Sequence, residues 1–292
     1  IRLELDSDLS QNIKRSNFKS SSYLGDNTNW FKLRNFNEGI HKISYNFLLN
    51  NSIISSDIPS DNIHLFSNNV GLLGTINNNE RPDDIIQQSV FVNDGGDGVF
   101  SQGDYLLFYL KPSTRVEWNG ENLVHVNHHF SDSAYFFLNI SSNKSRNHLD
   151  SINHLSQNYS QTITSFLDFK YLENDQINLL KSGSQWLGDI YDLNYSYDYP
   201  FNFNNIGDSS NVRVKLVSKS SFSTAYFNLS LFGQSENIPI NSSGSSYYSP
   251  VGKAVIQNFN FLNNPNEAFS INIVYDNNGA PSSKGYLDFI EV

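Results

Sequence analysis

Hydrophobic positions along this chain recur mostly at every second residue, in short runs separated by Gly, Asn, Asp, Ser and Pro. That is the pattern of half-buried strands joined by turns. Residues 1–5 alternate, and residues 6–29 are polar with Tyr23 and Leu24 as anchors. Residues 30–33 and 40–44 flank the turn Asn37-Glu38-Gly39, which predicts a hairpin. Residues 45–49 predict a short helix that is over by Asp57-Ile58-Pro59-Ser60, because proline restricts the residue before it. Residues 62–66 read as a strand, and Glu80-Arg81-Pro82-Asp83-Asp84 as an exposed charged loop.

The most distinctive stretch is residues 91–110, FVNDGGDGVFSQGDYLLFYL. Two apolar strands flank an acidic, glycine-rich loop, in which glycines permit positive φ and Asp and Asn side chains bond their own backbone. Asp94, Asp97 and Asp104, with Asn93 and backbone carbonyls, supply the hard oxygens that calcium prefers. The spacing departs from an EF-hand loop and no Glu closes it, so a bent acidic turn is the alternative.

Further on, residues 115–118 and 121–126 flank Asn119-Gly120, a strong hairpin signal, with Val116 and Trp118 expected to face the core. Residues 134–140 form the last strand of this module, and the polar residues 141–160 mark a junction. Residues 163–171 predict a strand, 171–181 a partly helical spacing, and Trp186 a plug between modules. Tyr191, Tyr195, Tyr197, Tyr199, Phe201 and Phe203 occupy odd positions, hence one face, with Pro200 marking an edge-strand end. Strands follow at 212–218, 224–232, 252–261, 268–275 and 286–292. The fold class expected is mostly β. A small mixed α/β or β-rich module over 1–150 carries the Asp/Gly loop, and an aromatic-rich, jelly-roll-like β-sandwich spans 151–292.

Composition narrows what such a chain does. A formal net charge of -10 repels nucleic-acid backbone and anionic lipid at long range, which sets nucleic-acid binding aside. With 38% hydrophobic residues the chain buries a sizeable core, and with Cys at 0 it offers neither disulfides nor a thiol nucleophile. No apolar run approaches the length of a transmembrane helix, and Ile1 opens directly into a strand pattern, so a signal peptide is expected to be absent or removed. His125, His128 and His129 cluster, yet no HExxH helix accompanies them and their spacing at a strand end points the rings apart. GxSxG is absent and the acids lie mostly in turns, so no catalytic residues are assigned.

The order of these features resembles a known family. Asp97 to Tyr105 follows Asp-Gly-x-Phe-x-x-Gly-Asp-Tyr; an apolar strand comes next, then Trp118, His128, Ser131-Asp132 and Ala134-Tyr135-Phe136-Phe137-Leu138. Further on, Glu173-Asn174-Asp175 leads to Asn178-Leu179, Ser182-Gly183 and Trp186-Leu187-Gly188. Together these stretches resemble the region ahead of the protease domain in the type IX secretion system C-terminal-signal sortase, a gingipain-like member of peptidase family C25. The likeness covers most of residues 35–189. It implies a non-catalytic front end, because the family's His and Cys belong to a caspase-like domain for which this chain has neither the Cys nor the βαβ spacing.

The resemblance also implies a setting. The parent enzyme would sit at the extracellular face of the bacterial outer membrane, cleave C-terminal sorting signals from exported cargo and join the cargo to lipopolysaccharide. The partners implied are the chain's own downstream protease domain, an outer-membrane β-barrel component of the secretion system and exported cargo proteins. A chain that stops inside the strand pattern at Val292 fits the front part of something longer. The alternative is a secreted adhesin or carbohydrate-binding β-sandwich with no enzymatic parent, since fold by itself does not decide function. No cofactor is implied beyond the candidate calcium ion.

Overall fold

The structure is a computed structural model that describes residues 23–25, 28–35, 37–68, 71–72, 84–131, 133–149, 162–181, 183 and 185–292. The charged loop expected at residues 80–83, the strand at 1–5 and much of the polar junction lie outside the described residues. The chain divides into two compact units, Ile1–Arg115 with Ser131–Gln157, and Val116–Phe130 with Asn158–Val292.

In chain order the elements begin with β1 (Asn29–Asn35), β2 (Gly39–Ser44), α1 (Tyr45–Asn50), β3 (Ile58–Pro59), β4 (Ile63–Ser67) and β5 (Ile86–Gln88). They continue with β6 (Phe91–Asn93), β7 (Val99–Phe100), β8 (Tyr105–Leu110), β9 (Arg115–Trp118), β10 (Leu123–Val126) and β11 (Ala134–Ile140). Then come β12 (Tyr171–Glu173), β13 (Ile190–Tyr191), β14 (Ser196–Pro200), β15 (Ser209–Lys219) and β16 (Ala225–Leu231). The last four are β17 (Gln234–Ile240), β18 (Lys253–Leu262), β19 (Ser270–Asp276) and β20 (Lys284–Glu291).

In the first unit, one sheet runs β1-β11-β4-β5 and a second runs β2-β8-β6. Ile63, Leu65, Phe136 and Leu138 from the first sheet share a core with Ile43, Leu106, Phe108 and Leu110 from the second. The expected hairpin of β1 with β2 does not form, because β1 pairs with β11 and β2 with β8. Both strands carry an apolar face to the same core, Phe31 and Leu33 from β1 and Ile43 from β2, so they serve opposite layers. Ser44 accepts the Phe47 N–H at 3.2 Å and caps α1, which buries Tyr45 and Leu48.

The second unit is a jelly roll. Its sheets run β12-β20-β15-β18, with β13 also on β20, and β14-β19-β16-β17. From β13 onward the chain crosses between sheets at almost every connection, which generates this order. The alternating aromatic run faces inward except at Tyr195: Tyr191, Tyr199 and Phe201 are buried, Tyr197 and Phe203 pack against the same core, Tyr195 in the loop before β14 is 38% exposed, and β14 with Pro200 is an edge strand. Tyr191 and Tyr199 place their hydroxyls 3.0 Å apart, and Tyr199 donates to Asp189 at 3.0 Å, which satisfies polar atoms inside the sandwich.

Several local expectations give way to tertiary pairing. Strand β17 went unrecognised in the sequence because its polar face and Pro239 mask the alternation, although Phe232 and Gly233, with φ of 50° and 72°, make the two-residue turn that pairs Leu231 with Gln234. Residues 163–170 are not a strand and leave Ile163, Phe166 and Leu167 exposed; the ladder to β20 starts only where Lys170 and Val292 exchange hydrogen bonds. Residues 174–181 are irregular rather than helical, tied by the bridge of Ile177 with Leu187. Trp186 is 41% exposed, and at that turn Leu187 is the buried residue. Trp118 is 58% exposed and Val116 39%, so the β9–β10 hairpin forms as expected while those two side chains face away from the core. The final strand is interior, with β15 on one side and β12 and β13 on the other.

Gly285 on β20 is where two aromatic rings come closest to the backbone. A Cβ there would meet Phe227 at 2.6 Å and Tyr275 at 2.7 Å, and neither ring has a free end to move. Gly285→Ala is therefore expected to cost about 1–3 kcal/mol by overpacking. Urea denaturation checks this; an unchanged midpoint would mean that the sheets separate without strain.

Candidate functional site

The Asn119-Gly120 turn sets up the most concentrated charge network in the described structure. Asn119 accepts hydrogen bonds from the backbone of Glu121 and Asn122 at 3.0 and 2.9 Å, and Gly120 takes φ of 104°, so the hairpin reverses and projects β10 forward. On β10, His125 has only 4% of its side chain exposed. Its Nδ1 lies 2.6 Å from Oε1 of Glu291, its Nε2 bonds Oε2 of Glu173, and its backbone N–H donates to Glu291 at 2.8 Å. The other oxygen of Glu291 accepts from Nη1 of Arg213 at 2.5 Å.

Register explains why these groups meet. Tyr171 and Arg213 both lie opposite Glu291, and Glu173 and Lys215 both lie opposite Phe289, so all project from the outer face of one sheet. The His125 ring stacks on Tyr171 with centroids 4.6 Å apart and meets Phe289 edge-on at 4.9 Å. Burial by itself would push the imidazole pKa down; the hydrogen bonds and charges of Glu173 and Glu291 outweigh that and hold it at about 9. Burial would likewise raise Glu291, but hydrogen bonds from His125 and Arg213 keep it below the ordinary carboxylate range. His125 is therefore an imidazolium at neutral pH with both nitrogens donating. Such a group cannot take a proton from a nucleophile.

Beside this network opens a groove of about 320 Å³. Its lining combines aromatic faces, Trp118, Phe166 and Phe203, with the side chains of Asn122, Asn211 and Arg213. Ser209, Ser210, Glu121 and Asp168 also line it, and its flat apolar surfaces beside amides suit the binding of a ligand.

The remaining histidines do not join His125. His129 is exposed, and His128 accepts the Phe130 N–H at 3.4 Å. In the Asp/Gly loop, Asp94 accepts the Gly96 N–H at 3.0 Å, Asp97 the Val99 N–H at 2.8 Å and Asp104 the Ser101 N–H at 2.6 Å. Each carboxylate thus closes its own turn, and Gly95, Gly96 and Gly98 all take positive φ. Among the described residues no group of three His, Cys, Asp or Glu side chains is placed to hold a metal ion. As a proposal, calcium at Asp94, Asp97 and Asp104 predicts a higher melting midpoint in calcium than in a chelator, with Asp97→Asn removing the difference. Sequence reasoning missed Glu173, Arg213 and Glu291, whose sole signal is a charged residue within a strand pattern.

No protein-family model matches the chain, and no curated protein matches it. Among solved structures, the crystal structure of dimeric latent PorU from Porphyromonas gingivalis matches with a TM-score of 0.64 at 16% identity, over 90% of this chain and 24% of that one. The fold is shared with PorU. The chain spans about a quarter of the PorU chain, and at this identity the likeness is one of architecture. The functional form of the mosquito-larvicidal Cry4Aa toxin from Bacillus thuringiensis matches at a TM-score of 0.28 and 15% identity, over 82% of this chain and 42% of that one, too low for a common architecture.

The His125 network carries a pH dependence of defined sign. Its folded-state pKa of about 9 stands above the ordinary 6.5, so the stability it contributes is fully present below pH 6.5 and is lost as pH rises through 9. His125→Gln should lower stability at neutral pH by about 3–5 kcal/mol, because Glu173 loses its cation and Glu291 keeps only Arg213. It should also flatten the decline above pH 6.5. Denaturation midpoints of both proteins across that range provide the check, and parallel curves would refute the assignment.

Proposed function

We propose that this chain is the non-catalytic front region of a PorU-like type IX sortase, bracing the protease domain and docking secretion partners at the extracellular face of the outer membrane. The observation that carries this reading is the shared architecture over 90% of the chain against only 24% of PorU. The order of sequence blocks between residues 35 and 189 supports it, as does a Cys count of 0, which leaves peptide-bond chemistry to another part of the polypeptide. No helix among the described residues is long and apolar enough to cross a membrane, which fits attachment through partners. In this reading the downstream C25-type domain, an outer-membrane β-barrel component and exported cargo are the partners.

One observation favours a second reading, a carbohydrate-binding module or adhesin. The groove sets exposed Trp118 and Phe166 beside amide side chains, a combination that stacks and hydrogen-bonds sugar rings.

An antibody to the 292-residue chain separates the two. The sortase reading expects a much longer polypeptide at the surface of the producing cell, whose remaining sequence holds a paired His and Cys. A mature product without such a domain would overturn it. The isolated chain is expected to leave peptide substrates intact, and hydrolysis that persists through repurification would refute a purely supporting role.

A further inference from the structure

One end of the jelly roll carries a concentration of bare apolar side chains that the proposed function does not use. Four connections meet there, residues 192–195, 220–224, 241–252 and 277–283. Their shared position follows from register: Tyr191 pairs with Gly285, Lys219 with Lys284 and Ser218 with Lys253, while Ala225 pairs with Ile240 and Tyr226 with Asp276. Hydrogen bonds lace the loops together. Ser243 N–H donates to the Ser220 carbonyl at 2.7 Å, Thr224 donates to Asn241 at 3.3 Å, Asn278 donates to the Thr224 carbonyl at 3.1 Å and Asn277 donates to the Tyr195 hydroxyl at 3.4 Å.

From this braced platform project Leu193, Phe222, Tyr247 and Tyr248, which are 98%, 80%, 95% and 91% exposed. In a chain with net charge -10, loops 220–224, 241–252 and 277–283 contain no charged residue at all. Asp192, the one charge in the fourth loop, is paired with Lys284. Exposed Lys219, Lys253 and Asp276 stand one step back, at the strand ends. Alongside, an apolar cavity of about 370 Å³ is lined by Leu179, Leu187, Val217, Val251 and Ala254.

We propose that this end of the sandwich enters the interfacial region of a lipid bilayer with zwitterionic headgroups. Large apolar side chains that cost free energy in water are stabilised when their loops lie at the acyl boundary, and Tyr suits that boundary because its ring is apolar and its hydroxyl reaches water. Uncharged loops enter without stripping ions of their hydration; Lys219, Lys253 and Asp276 then sit at headgroup height, where a zwitterionic headgroup offers a phosphate to the lysines and an ammonium to the carboxylate. The overall negative charge selects against an anionic surface. Tyr247 and Tyr248 are 86° apart, so they offer no coplanar platform for a sugar chain. The apolar cavity next to them has the lining that an acyl segment requires.

The experiment is cosedimentation of the 292-residue chain with phosphatidylcholine vesicles, in low and high salt. Binding insensitive to salt is expected, with a Tyr248→Trp variant whose emission shifts to the blue on adding vesicles. The triple variant Phe222→Ser, Tyr247→Ser and Tyr248→Ser should weaken binding about tenfold or more while keeping the wild-type melting midpoint, since these side chains touch little else. Absence of cosedimentation overturns the proposal. Binding that survives the triple variant, or that needs anionic lipid, overturns it too, and retention on a neutral glycan matrix without vesicle binding would assign the surface to sugar instead.

Discussion

The ladder that β20 makes with β15 on one side and with β12 and β13 on the other is the constraint on which the second unit depends. Its burial runs almost unbroken from Gly285 to Glu291, so both faces of this strand are covered. A register shift opposite Lys215 and Leu216 makes that possible. Leu287 and Ile290 are three residues apart and both enter the sandwich core, which strict period-two alternation forbids and a bulge allows. The outer face then receives Asp288, Phe289 and Glu291. Buried carboxylates there require cations, and Lys215 meets Asp288 at 2.6 Å while Arg213 and His125 meet Glu291.

Seen from that strand, the charge network around His125 is a fastening. The hairpin of β9 and β10 is a two-stranded sheet of its own, and an isolated hairpin is marginal in water. An imidazolium held between Glu173 and Glu291, stacked on Tyr171, ties it to the edge where β12 meets β20. The same ionic saturation that makes it a good fastener removes it as a general base, because neither nitrogen has a lone pair to offer. The hairpin also borders the aromatic and amide-lined groove.

The likeness to PorU is one of architecture. Architecture is conserved by packing constraints that tolerate 16% identity, whereas chemistry resides in particular side chains. Here the packing constraints are met by aromatic layers, Tyr191 on Phe227 and Phe227 on Tyr275, without any nucleophile among them. The surfaces of the second unit differ in character. The groove is mixed aromatic and polar, the loop end apolar and uncharged.

The sequence by itself determined whatever depends on neighbours a few residues away. The inward row from Tyr191 to Phe203, Tyr195 excepted, the Asn119-Gly120 hairpin, the helix at Tyr45, the strand at residues 134–140 and the jelly-roll-like sandwich follow from period-two patterning and turn chemistry. So does the Asp/Gly loop, whose glycines take the positive φ that the spacing implied. Tertiary structure decided the pairings that join distant segments. Nothing near Trp30 says that β1 pairs with β11 a hundred residues later, and nothing near Lys170 says that its ladder starts at Val292. The His125 network lies furthest from local reading, since its partners are 48 and 166 residues away and charge carries no periodic signal. Strand order is set by which apolar faces exclude water together, a quantity that exists only once the chain has closed on itself.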